Sequence, residues 1–224
     1  TQPCSSAASD VYKRQPWNEN DALEIINMLK DEEDITFDED MFRKLSYTCA
    51  GKLCPLNSII GGIASQEIIK GCTCKYKPIH QWLYYDVIDI FPDMELPFKG
   101  DLDNYLTEGT RYDSQNIVLG KKFTENLNKK NVFIVGAGAI GCEHLKNFSM
   151  IGIGNLTVTD MDYIEKSNLN RQFLFRNSDI GKSKSYVASL RTSEINPTIN
   201  VTNQTLKVCS ETSNFYNYKF ISCY

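Results

Sequence analysis

The run Gly136-Ala137-Gly138-Ala139-Ile140-Gly141 has the spacing G-x-G-x-x-G. It follows a short apolar stretch, 131–135, that predicts a strand, and it opens a segment over about 140–151 where Leu145, Phe148, Met150 and Ile151 predict a helix. Strand, glycine turn and helix in that order are the context in which this spacing binds phosphate. Gly136 permits a tight turn, Gly138 lets backbone approach phosphate oxygens with no Cβ between, and Gly141 lets the helix close on the sheet. Unpaired N–H groups at the helix start then face the anion. Asp160 ends the next predicted strand, 156–159, and stands 22 residues past Gly138. A carboxylate there accepts hydrogen bonds from both hydroxyls of a ribose, and Asp162 is placed to share that work. The turn alone names no reaction, because hydride-transferring and adenylating enzymes both use it.

Two cations further along separate those chemistries. Arg171 and Lys184 follow Asp160 on the polar stretch 160–181 and just beyond it. A dinucleotide-dependent oxidoreductase gives them no evident task. An enzyme that splits a nucleoside triphosphate does, because charge builds on the transferring and leaving phosphates and preorganised Arg and Lys stabilise it. Arg offers a two-pronged fork and Lys a point charge. The alternative reading of either one is a solvated surface cation.

The elements that must hold these groups alternate as strand, turn, helix and strand. After the strands and helix already named come a helix at about 182–194, a strand at 199–203 and a possible strand at 218–223. That alternation predicts a Rossmann-like α/β fold with a parallel sheet, incomplete here. Upstream, Ala22, Leu23, Ile25, Ile26 and Leu29 recur at helical spacing behind Glu19 and Asp21, and the acidic run 31–34 ends that helix as a solvated loop. Further helices are expected over 38–49 and 55–70, with Pro55 in a first turn and Gly71 as a C-terminal cap. Gly61 and Gly62 inside the latter imply another backbone packed closely there. The aromatic and β-branched run 82–90 predicts a buried strand, and Pro92, Pro97 and the charged stretch through Asp103 predict a linker.

The chain has 224 residues, 24 Lys and Arg against 28 Asp and Glu, a net charge of −4, and 42% hydrophobic residues. These are globular values, and the acidic balance argues against a nucleic-acid surface. No apolar run approaches the ~18 residues of a membrane span. Eight scattered cysteines in a chain of this length read as reduced and intracellular. Neither Cys72 and Cys74 nor His80 and His144 complete a zinc spacing. Cys142 reads as a small packed residue. Residues 1–15 have no periodicity and are expected to be a non-native or disordered tail.

On IVGAGAIGCEHLKNF (134–148) and GIGNLTVTDMDYIEKSNLNRQFLFR (152–176), the chain resembles the ubiquitin-activating enzyme family and the bacterial adenylating enzymes of molybdopterin and thiamine synthesis. Residues 43–92 resemble the end of that family's inactive adenylation half, and 110–115 resemble the opening of its active half, with Ser114 where the bacterial homodimers carry a second Arg. The resemblance implies a helical bundle segment at 17–52, the end of the inactive half at 53–98, and the start of the active adenylation domain at 99–224. It implies that Gly136, Gly138, Ala139 and Gly141 line the phosphates of ATP, that Asp160 holds the ribose, and that Asn168 shapes the pocket. Arg171 and Gln172 would reach the outer phosphates, and Lys184 the α-phosphate.

It further implies ATP with Mg2+ as cofactors, ubiquitin or a ubiquitin-like protein and a ubiquitin-conjugating enzyme as partners, and a cytoplasmic and nuclear location. No nucleic acid or membrane is expected as partner. By the same resemblance the chain is a truncated piece. Its Mg-binding Asp is expected beyond Tyr224, and its catalytic cysteine lies outside these residues. An NAD-binding oxidoreductase, for which no catalytic His or Tyr constellation is present, and a non-catalytic pseudo-adenylation module are the competing expectations.

Overall fold

The structure is a computed structural model and describes residues 16–30, 37–83, 85, 87, 90, 96, 98–215 and 221–223. The expectations for the tail at 1–15 and the acidic loop at 31–34 lie outside them. The chain divides into two compact units, the second beginning at Phe123.

In the first unit, α1 (Glu19–Lys30) starts behind Asn18, whose side-chain oxygen accepts from the N–H of Asn20 at 2.9 Å. Helix α2 (Glu39–Thr48) is capped by Asp38, which accepts from the N–H groups of Asp40 and Met41. Both caps satisfy helix-end donors that would otherwise need water. Ala22, Ile26 and Tyr47 are buried. Trp17 stacks on Tyr47 with ring centroids 5.2 Å apart, and its indole N–H donates to the carbonyl of Ile117 at 2.7 Å. That carbonyl belongs to α4 (Asp113–Leu119). Leu96 and Phe98, in the stretch where a linker was expected, and Tyr105 pack partly buried against the cluster. The Tyr47 hydroxyl donates to the Glu19 carboxylate. Burial, reinforced by that carboxylate, pushes the Tyr47 hydroxyl up to about 12.

Two upstream expectations change. Helix α3 spans Cys54–Thr73 with Pro55 in its first turn, but it runs past Gly71 and ends on Cys74 in the left-handed region at φ +52°. A Cβ on Gly61 or Gly62 would meet nothing within 4 Å among the described residues, so no close backbone explains them. The run 82–90 is not a buried strand where it is described. Trp82 is 72% exposed and Leu83 48%, and both are irregular, as are Tyr85 and Val87. A strand needs a neighbour to pair with, and none is present for this run among the described residues. Residues 84, 86, 88 and 89 lie outside the description.

Helix α5 (Lys121–Leu127) leads into the second unit, where β1 (Asn131–Val135), α6 (Ala139–Ile151), β2 (Asn155–Thr159), α7 (Lys184–Ile195), β3 (Asn200–Gln204) and β4 (Ile221–Cys223) follow. The four strands form one parallel sheet in the order β3-β2-β1-β4. Of the expected last strand, 221–223 is present and 218–220 lies outside the description. Alternate residues Val132, Ile134, Leu156 and Val158 share one core with Cys142 and Leu145 of α6 and Val187 and Ala188 of α7. The intervening positions are polar on β2 and β3, where the hydroxyls of Thr157 and Thr202 lie 2.9 Å apart. Buried Asn196 donates to the Ser149 carbonyl at 2.7 Å and ties the end of α7 to α6. Strand order reverses at β1, which has β2 on one side and β4 on the other. In open parallel sheets, ligands bind beyond the carboxyl ends of the strands at such a reversal.

Candidate functional site

The glycine turn sits at that reversal, between β1 and α6. Gly136 holds φ +93°, and its N–H donates to the Thr159 carbonyl at 2.8 Å, fastening the turn to the end of β2. A Cβ at residue 141 would lie 2.1 Å from the Gly136 carbonyl oxygen, so Gly141 is required for α6 to close on the turn. Gly138 differs. Its backbone is extended, and a Cβ there would meet nothing within 4 Å among the described residues. It caps α6 with no side-chain hydrogen bond to the first-turn N–H groups.

Asp160 reaches this turn directly. One carboxylate oxygen accepts from the Ala137 N–H at 2.6 Å and the other from the Asp162 N–H at 2.8 Å. A carboxylate oxygen has two lone pairs, so each keeps acceptor capacity. Asp162 pairs with Lys184, its Oδ2 lying 2.8 Å from Nζ. Lys184 is the first residue of α7, behind the cap Ser183, and is 8% exposed. Hydrogen bonds therefore link the turn, Asp160, Asp162 and Lys184 in one series.

The remaining residues lie on the loop after β2. Asn168 is buried and accepts from the Glu165 N–H at 3.0 Å, shaping a short 3-10 turn at Lys166–Asn168. Its carbonyl accepts from the N–H groups of Arg171 and Gln172. Arg171 is exposed, and its Nη1 donates locally to the Ser167 carbonyl at 2.9 Å and the Asn170 side chain at 3.1 Å. No hydrogen bond or ion pair joins Arg171 to the glycine turn or to Lys184 among the described residues. Gln172 is 4% exposed, and its Oε1 has no hydrogen-bond partner among the described residues. A buried orphan acceptor of this kind is unfavourable unless something fills it.

Three features were not read from the sequence. An open cleft of about 420 Å3 adjoins the turn, lined by Ile134, Val135, Gly138, Ala139, Ile140, Gly141 and His144. His144 stacks on Phe148 one turn further along α6. Buried Asp179 gathers the Lys182 ammonium at 2.9 Å, the Arg176 N–H at 3.0 Å and the Arg191 guanidinium at 3.6 Å. The Lys182 ammonium, above all, holds the Asp179 carboxyl below the usual carboxylate range against its burial. Its position at the end of the 3-10 turn Asn177–Asp179, among scattered cations, leaves no periodic signal. Cys142 is fully buried and its thiol is pushed up to about 11 by that burial, which disables it as a nucleophile near neutrality.

The family model described as the ThiF family matches residues 112–222. Ubiquitin-like modifier-activating enzyme 1 of Homo sapiens is 45% identical over 220 residues, covering 92% of this chain and 20% of that protein. Ubiquitin-like modifier-activating enzyme 6 of Homo sapiens is 42% identical over 205 residues, covering 89% and 19%. Ubiquitin-like modifier-activating enzyme 7 of Mus musculus is 38% identical over 221 residues, covering 93% and 22%. The chain spans about a fifth of the length of these relatives. Among solved structures, E. coli MccB with ATP superposes with a TM-score of 0.47 at 29% identity, over 51% of this chain and 36% of that one.

Proposed function

From the premise that this chain belongs to the ThiF family, we propose that it carries the nucleotide site of an enzyme that activates ubiquitin or a ubiquitin-like protein with ATP. The observation that supports this most is the series from the glycine turn through Asp160 and Asp162 to Lys184. On this reading the series joins an anion-binding turn, a ribose-binding carboxylate and a cation.

The residues present fit ATP in one respect: the space beside Gly138 is free of side-chain atoms among the described residues, as a phosphate cradle needs. ATP supplies an α-phosphorus open to attack by the C-terminal carboxylate of the ubiquitin-like protein, with pyrophosphate as leaving group. With the Gly136 and Ala137 N–H groups held by Thr159 and Asp160, the backbone N–H groups of Gly138 and Ala139 bind phosphate oxygens, and Asp160 accepts the ribose hydroxyls on its remaining lone pairs. Lys184 holds positive charge where negative charge develops. Arg171 adds to it through Nε and Nη2, which its local hydrogen bonds leave free. Among the described residues, no three His, Cys, Asp or Glu side chains converge, and no step is assigned to Mg2+. The reading carries a conjugating enzyme as a second partner and the cytoplasm and nucleus as the location.

The test is ubiquitin-dependent exchange of labelled pyrophosphate into ATP by the full protein. Lys184→Ala is expected to lower exchange by about 100-fold or more while leaving thermal stability near wild type. Wild-type exchange in that variant contradicts the role given to Lys184.

A further inference from the structure

Lys184 occupies a place that physical chemistry disfavours for a cation. It is the first residue of α7, at the positive end of the helix dipole, and its side chain is only 10% exposed. Burying an ammonium there costs stability unless a carboxylate meets it. One does, and its attachment is elaborate. Asp162 Oδ2 lies 2.8 Å from Lys184 Nζ, and the Asp162 carbonyl accepts the Lys184 N–H at 3.0 Å. Tyr163 and Ser183 form an antiparallel bridge beside it. The Ile164 N–H donates to the Lys182 carbonyl at 2.9 Å, and the Gly181 N–H to the Ile164 carbonyl at 2.8 Å. The loop after β2 is thus zipped to the start of α7, and the Asp162–Lys184 pair closes the zip.

The two partners differ in exposure. The Asp162 side chain is 57% exposed, while that of Lys184 is nearly enclosed. Packing therefore does not account for Asp162, whose carboxylate meets the ammonium from the solvent side. An incoming phosphate presents the same chemistry to Lys184, an anionic oxygen at hydrogen-bond distance.

We propose that Asp162 is a positioning residue, holding the Lys184 ammonium in place at the nucleotide site rather than binding the nucleotide itself. The catalytic part of this inference rests on the adenylation reading above, while the holding of Lys184 does not. Asp162 keeps the lysine extended and oriented while the site is free, so that a phosphate oxygen takes over a cation already in position. The division of labour with Asp160 follows. Asp160 secures the turn through Ala137, and Asp162 secures the cation.

Two measurements on the full protein test this with Asp162→Asn and Asp162→Glu. The first is the rate at which an amine-acylating reagent modifies Lys184, read by mass spectrometry, with thermal midpoints recorded to establish folding. Asp162→Asn is expected to speed modification several-fold, because the freed side chain swings into solvent, and Asp162→Glu is expected to restore part of the protection. The second is ubiquitin-dependent ATP–pyrophosphate exchange. Asp162→Asn is expected to lower kcat by about tenfold with little change in the KM for ATP, and Asp162→Glu to recover part of it. Unchanged modification in a folded Asp162→Asn variant overturns the proposal whatever the activity. A raised KM with intact kcat overturns it in favour of a direct nucleotide contact. If Asp162→Asn does not fold, the proposal stands on Asp162→Glu: faster modification than wild type supports it, and an unchanged rate overturns it. Faster modification in a protein whose wild type shows no exchange supports the holding of Lys184 and defeats the adenylation reading alone.

Discussion

Gly141 and Gly138 belong to one motif but answer to different constraints. A methyl group at 141 would collide with the backbone carbonyl of Gly136 at 2.1 Å, and backbone cannot swing aside as a side chain can. Gly141→Ala is therefore expected to destabilise the second unit by about 1–3 kcal/mol, the usual cost of overpacking. A methyl group at 138 meets open space and a permissive φ of −75°, so Gly138→Ala is expected to fold normally and to bind nucleotide more weakly. Thermal unfolding and ATP titration of both variants check the contrast. A Gly138→Ala protein that binds ATP as wild type would remove the phosphate cradle from the account. Cys142, in the first turn of α6, shows how burial silences a reactive group. It follows Gly141 directly, yet full burial pushes its thiol up to about 11.

At the scale of elements, the segment between β2 and α7 has little regular structure and is held by polar knots. Asp179 is the principal one, binding Lys182, the Arg176 N–H and Arg191 from a nearly buried position. Its folded pKa is depressed, chiefly by Lys182. The sign follows: its stabilising contribution is present above the unfolded value of about 3.9 and is lost as pH falls through the lower folded value. Asp179→Asn is expected to cost about 1–3 kcal/mol at neutral pH, and denaturation curves of variant and wild type should converge as pH falls below about 4. Helix α3 makes an opposite case. Gly61 and Gly62 sit in its interior with open space beside them, so only backbone entropy is at stake. Gly61→Ala is expected to steady the helix by about 1 kcal/mol, seen as roughly fivefold slower amide hydrogen exchange within 54–73. Unchanged or faster exchange would show that something does pack there.

For the whole molecule, the two units were unequally legible in the sequence. The second unit announces itself locally. A strand, a glycine turn and a helix lie within 21 consecutive residues, 131–151, and each element carries its own period. The first unit is assembled from distant pieces. Trp17 meets Tyr47, Phe98, Tyr105 and the Ile117 carbonyl across 100 residues of chain, and no period announces such a cluster. That is why Leu96 and Phe98 read as linker but pack, partly buried, against the cluster. The run 82–90 shows the converse, since a β-rich composition describes a strand's side chains but does not supply the neighbouring strand. In the site, residue types and spacing identify the turn, Asp160 and the cations. The ion pair between Asp162 and Lys184 spans 22 residues and exists only because the loop zips onto α7. The sequence likewise places Arg171 near the motif without showing that its guanidinium is clasped by Ser167 and Asn170. The central claim is that these groups are arranged for a triphosphate rather than for two joined nucleotides. Calorimetric titration of the full protein with ATP and with NAD tests it most directly. Saturable ATP binding that Asp160→Ala weakens, with no heat from NAD, is the predicted result; NAD binding that excludes ATP would contradict it.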